Sequence, residues 1–204
     1  MPLLAAFLDL LSSAGFLLVW LRPDVTGVEW VERCAMTLLL EFFMIHAGGF
    51  YAEVLFSEGS RAIRSLILVM LVAVYLGLIS IMAYEEHAWW MLKPFAWLSA
   101  GKLLAIWTMA RSPTAQRLKT ARIAWMVNAA CYVVTIGLSV QVLRFPPLGV
   151  TADVIAAAGF RGSGLFAEQP QIALGAGALY FALLPLARAC VGYAVRRIGP
   201  PQKG

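Results

Sequence analysis

The sequence predicts an all-α, polytopic membrane protein: six transmembrane helices in a compact bundle, with a short surface or re-entrant helix in the loop between the fifth and sixth. Three observations carry that reading. The chain of 204 residues is 61% hydrophobic and 13% charged, against about 25% charged in an average soluble domain. Its apolar residues fall in runs close to the roughly 20 residues needed to cross a hydrocarbon core about 30 Å thick. Six such runs nearly exhaust the length, so residues 1–204 are expected to form one integral membrane domain. This composition excludes an ordinary water-soluble enzyme.

The first run, residues 3–21, opens without a basic stretch or a small-residue cleavage site, and is expected to stay as a span. It holds Asp9, with Ser12 and Ser13 on the same helical face. The second, residues 31–57, carries Glu41 and His46 inside its apolar stretch, followed by Gly48 and Gly49. The third, residues 65–84, is almost purely apolar and is expected to be the most lipid-exposed. Glu85, Glu86, His87, Trp89 and Trp90 follow it, an acidic and aromatic turn suited to a non-cytoplasmic interface.

The fourth run, residues 88–110, contains Lys93, Pro94, Ser99 and Lys102. The fifth, residues 123–143, spaces Asn128, Tyr132, Thr135 and Ser139 at i, i+4, i+7 and i+11, a polar stripe on one face. Pro146 and Pro147 then break the helix and open a loop of about 25 residues, longer than most connections. Within it Thr151, Asp153 and Gly159 mark the start and stop of a short helix. The sixth run, residues 171–195, has Gly175 and Gly177 near its start, Pro185 as a kink and Arg188 still in the apolar stretch.

Charge sets the expected orientation. With the N-terminus inside, the cytoplasmic segments hold nine basic residues (Arg61, Arg64, Arg111, Arg117, Lys119, Arg122, Arg196, Arg197 and Lys203) against three outside (Arg22, Arg144 and Arg161). The positive-inside rule then puts both termini in the cytoplasm, in a bacterial-type plasma membrane. It also accounts for the net charge of +5 without nucleic acid, leaving the lipid bilayer as the expected partner. Cys34, Cys131 and Cys190 are scattered and lack a CxxC, so neither a disulfide framework nor a structural zinc site is expected.

Function is sought in the buried charges, because ionisable side chains inside a span are costly and are paired, turned inward or functional. Counted at about 1.5 Å per residue, Asp9 and Arg188 both fall in the cytoplasmic third and form a candidate gate pair. Glu41, His46, Lys93 and Lys102 come out at similar depths, with Glu41 and either Lys93 or Lys102 the natural pair if the second and fourth helices touch. Glu41 and His46 are five residues apart, about 140° around a helix, which disfavours a two-ligand metal site on one face.

The expected path for a solute or proton is therefore Glu41, His46, Lys102, Asn128, Tyr132, Thr135 and Ser139. These residues suit a small transporter or transporter subunit that moves a small polar or anionic solute, coupled to protons, alone, as a homo-oligomer or within a larger complex. One alternative is a non-catalytic membrane subunit. Another is a metal- or haem-binding redox protein, for which Glu41, His46, Glu85, Glu86 and His87 are weak candidate ligands. No cofactor is predicted. No nucleophile motif, phosphate loop or HExxH occurs, so an enzyme is the less expected class.

Overall fold

A computed structural model describes residues 2–108, 115–160 and 163–198. These residues are all helix, turn and loop, without a strand. The helices are α1 (Pro2–Leu21), α2 (Pro23–Thr26), α3 (Glu29–Phe56), α4 (Arg61–Glu85), α5 (Leu92–Thr108), α6 (Ala115–Leu138), α7 (Ala152–Ala158), α8 (Leu165–Glu168) and α9 (Pro170–Ile198). Five of them, α1, α3, α4, α6 with the turn after it, and α9, are long and apolar enough to cross a membrane. That set of helices is compatible with an integral membrane protein. Arg111, Arg161 and Lys203 of the charge count lie outside the described residues.

Helix α3 is the hub. It packs against α1, α4, α5, α6 and α9, and each side of it faces a separate apolar core. On one side, residues such as Val31, Leu38 and Ile45 meet α1, α6 and α9. On the other, Met36, Tyr51 and Val54 meet α4 and α5. Lipid tails are as apolar as leucine, so helices in a membrane are held by close packing rather than by expulsion from water, and small residues let backbones approach. The run Gly175 to Ala178 does this for α9. A side-chain carbon on Gly177 would collide with the Phe16 ring of α1, and one on Gly175 would sit 2.6 Å from the Phe145 ring.

Local chemistry sets the element ends. Ser60 caps α4 by accepting a hydrogen bond from the Ile63 amide at 3.2 Å. A 3-10 turn at Trp89–Met91 precedes α5, so that helix starts later than the apolar run suggests. After Leu138, α6 relaxes into a π-turn over Ser139–Leu143, closed by Arg144 in the left-handed region at φ 38°. The exposed pair Arg22 and Asp24 begins the first turnover between long helices, and its hydrogen bond holds the Asp24 carboxyl below the usual carboxylate range.

The long loop is anchored at its start. Trp20 Nε1 donates to the Pro146 carbonyl at 3.0 Å, the Gly149 amide donates to the Trp20 carbonyl at 3.2 Å, and Trp20 stacks edge-on against Phe145. A side-chain carbon on Gly149 would lie 2.5 Å from the Leu21 carbonyl, which explains the glycine there. Thr151 stands at the N-cap of α7 without a side-chain cap bond, and Gly159 ends the helix at φ 83°. The third run, now α4, is among the most exposed helices, and α6 is exposed to a similar extent.

Two glycines should respond oppositely to substitution. Gly177→Leu forces α1 and α9 apart and should cost about 1–3 kcal/mol, in the range of overpacked cores. At Gly77 on α4 an added side-chain carbon would meet nothing within 4 Å, and Gly77→Leu should be neutral or stabilising. Thermal melts of the two variants in the same detergent check the contrast.

Candidate functional site

The polar side chains of the first core converge where α1, α3, α6 and α9 meet. Arg188 of α9 donates through Nη1 to Asp9 Oδ2 of α1 at 2.7 Å and through Nε to Asn128 Oδ1 of α6 at 3.1 Å. One guanidinium thus ties three helices together. Two turns earlier on α9, Tyr180 donates its hydroxyl to Glu41 Oε1 of α3 at 2.8 Å. Tyr132 donates to the Leu38 carbonyl at 2.9 Å, and its ring packs edge-on against Tyr180 at 5.5 Å. Glu41 feels the charges of Arg188 and Asp9 from a distance, whereas Asp9 makes the direct ion pair with Arg188.

The remaining stripe residues face the same interior. Thr135 and Ser139 are buried, and Ser139 Oγ donates back to the Thr135 carbonyl at 2.7 Å where the π-turn begins. A π-turn inside an α-helix re-aims the residues around it and recurs at functional sites.

Two of the expected residues stand elsewhere. His46 is exposed; its Nδ1 lies 3.2 Å from the Phe42 carbonyl and its ring stacks on Phe42, on a face of α3 turned away from Tyr180. The pairing of Glu41 with Lys102 is also corrected. Ser99 of α5 hydrogen-bonds Tyr51 of α3 at 3.0 Å, which sets Lys102 against the stretch beyond Tyr51. That is ten or more residues from Glu41, roughly 15 Å along the helix. Counting depth from each helix start fails here because α3 has 28 residues and α5 has 17, so their ends are not level. Among the described residues Lys102 has no ion-pair or hydrogen-bond partner.

The weak metal candidates do not converge either. Glu41 is engaged by Tyr180, His46 points away, and Glu85, Glu86 and His87 stand at the far end of α4, where Glu86 lies near Glu32. Among the described residues no three His, Cys, Asp or Glu side chains gather in one place.

Clefts flank the network. One, of about 530 Å³, lies between α1 and α9 and is lined by Asp9 and Arg188 together with Leu3, Pro185 and Tyr193. Another, of about 410 Å³, lies between α3, α5 and α6 and reaches Asn128 and Lys102. The contact of Arg188 with Asn128 therefore stands between two spaces. A groove of about 390 Å³ on the other side of the α3 and α6 contact is bordered by His46, Trp125 and the pair Glu53 and Arg122, whose two hydrogen bonds measure 2.5 and 2.7 Å.

Sequence reasoning missed Tyr180 as the partner of Glu41. The signal was present: between Gln171 and Arg188 it is the sole side chain able to donate a hydrogen bond. Comparison with protein-family models, with curated proteins and with solved structures finds no match.

Removing one partner of a buried pair leaves the other charge uncompensated, at about 3–5 kcal/mol when both are fully buried. Arg188 keeps 37% of its side chain exposed against 14% for Asp9, so a smaller loss of about 1–3 kcal/mol is expected for Arg188→Gln. Asp9→Asn combined with Arg188→Gln should lose less than the two single changes added together. A double-mutant cycle from chemical unfolding in micelles measures that coupling, and strict additivity would show the pair to be silent.

Proposed function

We propose that this protein is a small membrane transporter, or the membrane subunit of one, that moves a small polar or anionic solute through the bundle interior with proton coupling. The reading takes α5 as the sixth span and, from the positive-inside count, places both termini in the cytoplasm. One observation supports it most: the Asp9, Arg188 and Asn128 contact is the partition between two clefts that penetrate the same end of the bundle. At the opposite end the interior is filled by Phe16, Trp20, Phe145, Val150 and Leu174, and the anchored loop covers it. In this reading the molecule is closed outside and indented inside.

The chemistry follows from the charges. Asp9 bonds Arg188 directly while Glu41 acts on it from a distance, so in this reading protonating Asp9 frees the guanidinium for another anion. Glu41 is the proton acceptor, with Tyr180 fixing its carboxylate. An arriving anion takes the place of Asp9 or Asn128 on Arg188 and frees α1 or α6 to shift against α9. Ionisable groups at such depth are the usual parts of proton relays in membrane carriers.

The test is flux into proteoliposomes under an inward proton gradient, with a panel of labelled small organic acids and neutral polar solutes. Arg188→Gln and Glu41→Gln should each lower gradient-driven flux at least tenfold in folded protein. Asp9→Asn should leave flux but weaken its dependence on pH. Normal flux in both of the first two variants removes the network from the path, and no flux of any solute favours the non-catalytic subunit.

A further inference from the structure

The cleft between α3, α5 and α6 has a composition that the transport reading does not explain. Helices α5 and α6 follow each other in sequence yet scarcely touch, since α5 leans on α4 and α3 while α6 leans on α3 and α9. The wedge between them is floored by Met44, Gly48, Ala52 and Phe56 of α3. A side-chain carbon added at Gly48 would meet nothing within 4 Å, so the floor is open there. At the adjacent Gly49 the same carbon would lie 2.7 Å from Trp125 Nε1. Of the two glycines, the second is required by packing and the first keeps the cleft empty.

The polar groups of the cleft are all donors. Lys102 is a cation without a partner among the described residues. Asn128 commits its Oδ1 to Arg188, which leaves its amide NH2 to give. Trp125 spends its indole N–H on the Ile45 carbonyl at 2.9 Å. Among the described residues no carboxylate lines the space, and the other lining side chains are apolar. The floor from Met44 to Phe56 is about 18 Å long at the helical rise. Lys102 lies toward its Phe56 half. Asn128 stands between Trp125 and Tyr132, which bond Ile45 and Leu38, and so lies toward the Met44 half.

We infer that this cleft binds a monocarboxylate with a short apolar tail, its carboxylate on Lys102 and its tail lying over Gly48 toward Asn128. A single cation at one end of an apolar slot matches one negative charge on an elongated, otherwise apolar molecule. The volume of 410 Å³ falls in the range of small-ligand pockets and suits one short chain rather than the paired long chains of a phospholipid. The site deepens the transport reading by naming its substrate class, yet binding itself does not depend on transport.

The experiment is equilibrium dialysis of labelled octanoate against the full chain in phosphatidylcholine nanodiscs, corrected for empty nanodiscs. Saturable, one-to-one octanoate binding is expected, with octanol at least tenfold weaker. Lys102→Met should weaken octanoate at least tenfold and Lys102→Arg should restore most of it. Gly48→Leu, whose first side-chain carbon meets nothing within 4 Å and whose branch enters the slot, should abolish binding while the thermal melt is unchanged. Equal binding of octanol, unaltered binding in Lys102→Met, or full binding in Gly48→Leu overturns the inference. So does loss of octanoate binding when phosphatidylglycerol replaces half the lipid, since the site would then belong to a membrane anion. Binding without flux in proteoliposomes removes the transport reading alone, and octanoate-independent flux without binding removes this site alone.

Discussion

The Arg188 guanidinium sets the constraint on the rest of the bundle. A cation inside an apolar region must be compensated, and here the compensation comes from two different helices, Asp9 on α1 and Asn128 on α6. Meeting both fixes the rotation of α9, and that rotation presents Tyr180 to Glu41 on α3. The glycines of α9 then face Phe16 and Phe145, which sets how closely α1 and the long loop approach. Changing the partners of one side chain would therefore move three helices together. This differs from an apolar contact, which tolerates sliding by fractions of an ångström.

Helix α3 contributes the complementary constraint. With an apolar core on each side, it separates a tightly joined unit of α1, α6 and α9 from a second unit of α4 and α5. The polar network joins the first unit to the facing side of α3, and Lys102 belongs to the second. The cleft between α5 and α6 is the seam where the two units fail to meet, which places Lys102, a cation without a partner among the described residues, next to empty space.

Much of the helical layout was legible because length and apolarity decide it. The runs at residues 3–21, 31–57 and 171–195 correspond to α1, α3 and α9, with shifts of a few residues at the ends. Asp9 and Arg188 could be brought together from depth alone, since Asp9 lies near the start of α1, Arg188 lies near the end of α9, and the two helices pack side by side. The inward face of Tyr132, Thr135 and Ser139 was legible from helical spacing. Lys102 was misplaced because depth counted from a helix start presumes equal lengths, and α3 overshoots α5 by eleven residues, 28 against 17. His46 shows the other limit: spacing said that it differs in direction from Glu41, but only packing decides which of the two faces outward.

The pairing of Asp9 with Arg188 also imposes an order on biosynthesis. The two residues are 179 positions apart, and at about 5–20 residues per second a ribosome takes roughly 9–36 s to travel between them. Through that interval α1 has left the ribosome while the residue that neutralises its acid does not yet exist. Until α9 is made, Asp9 has no Arg188 to bind. Completion of the last helix is then the event that locks the first one in place.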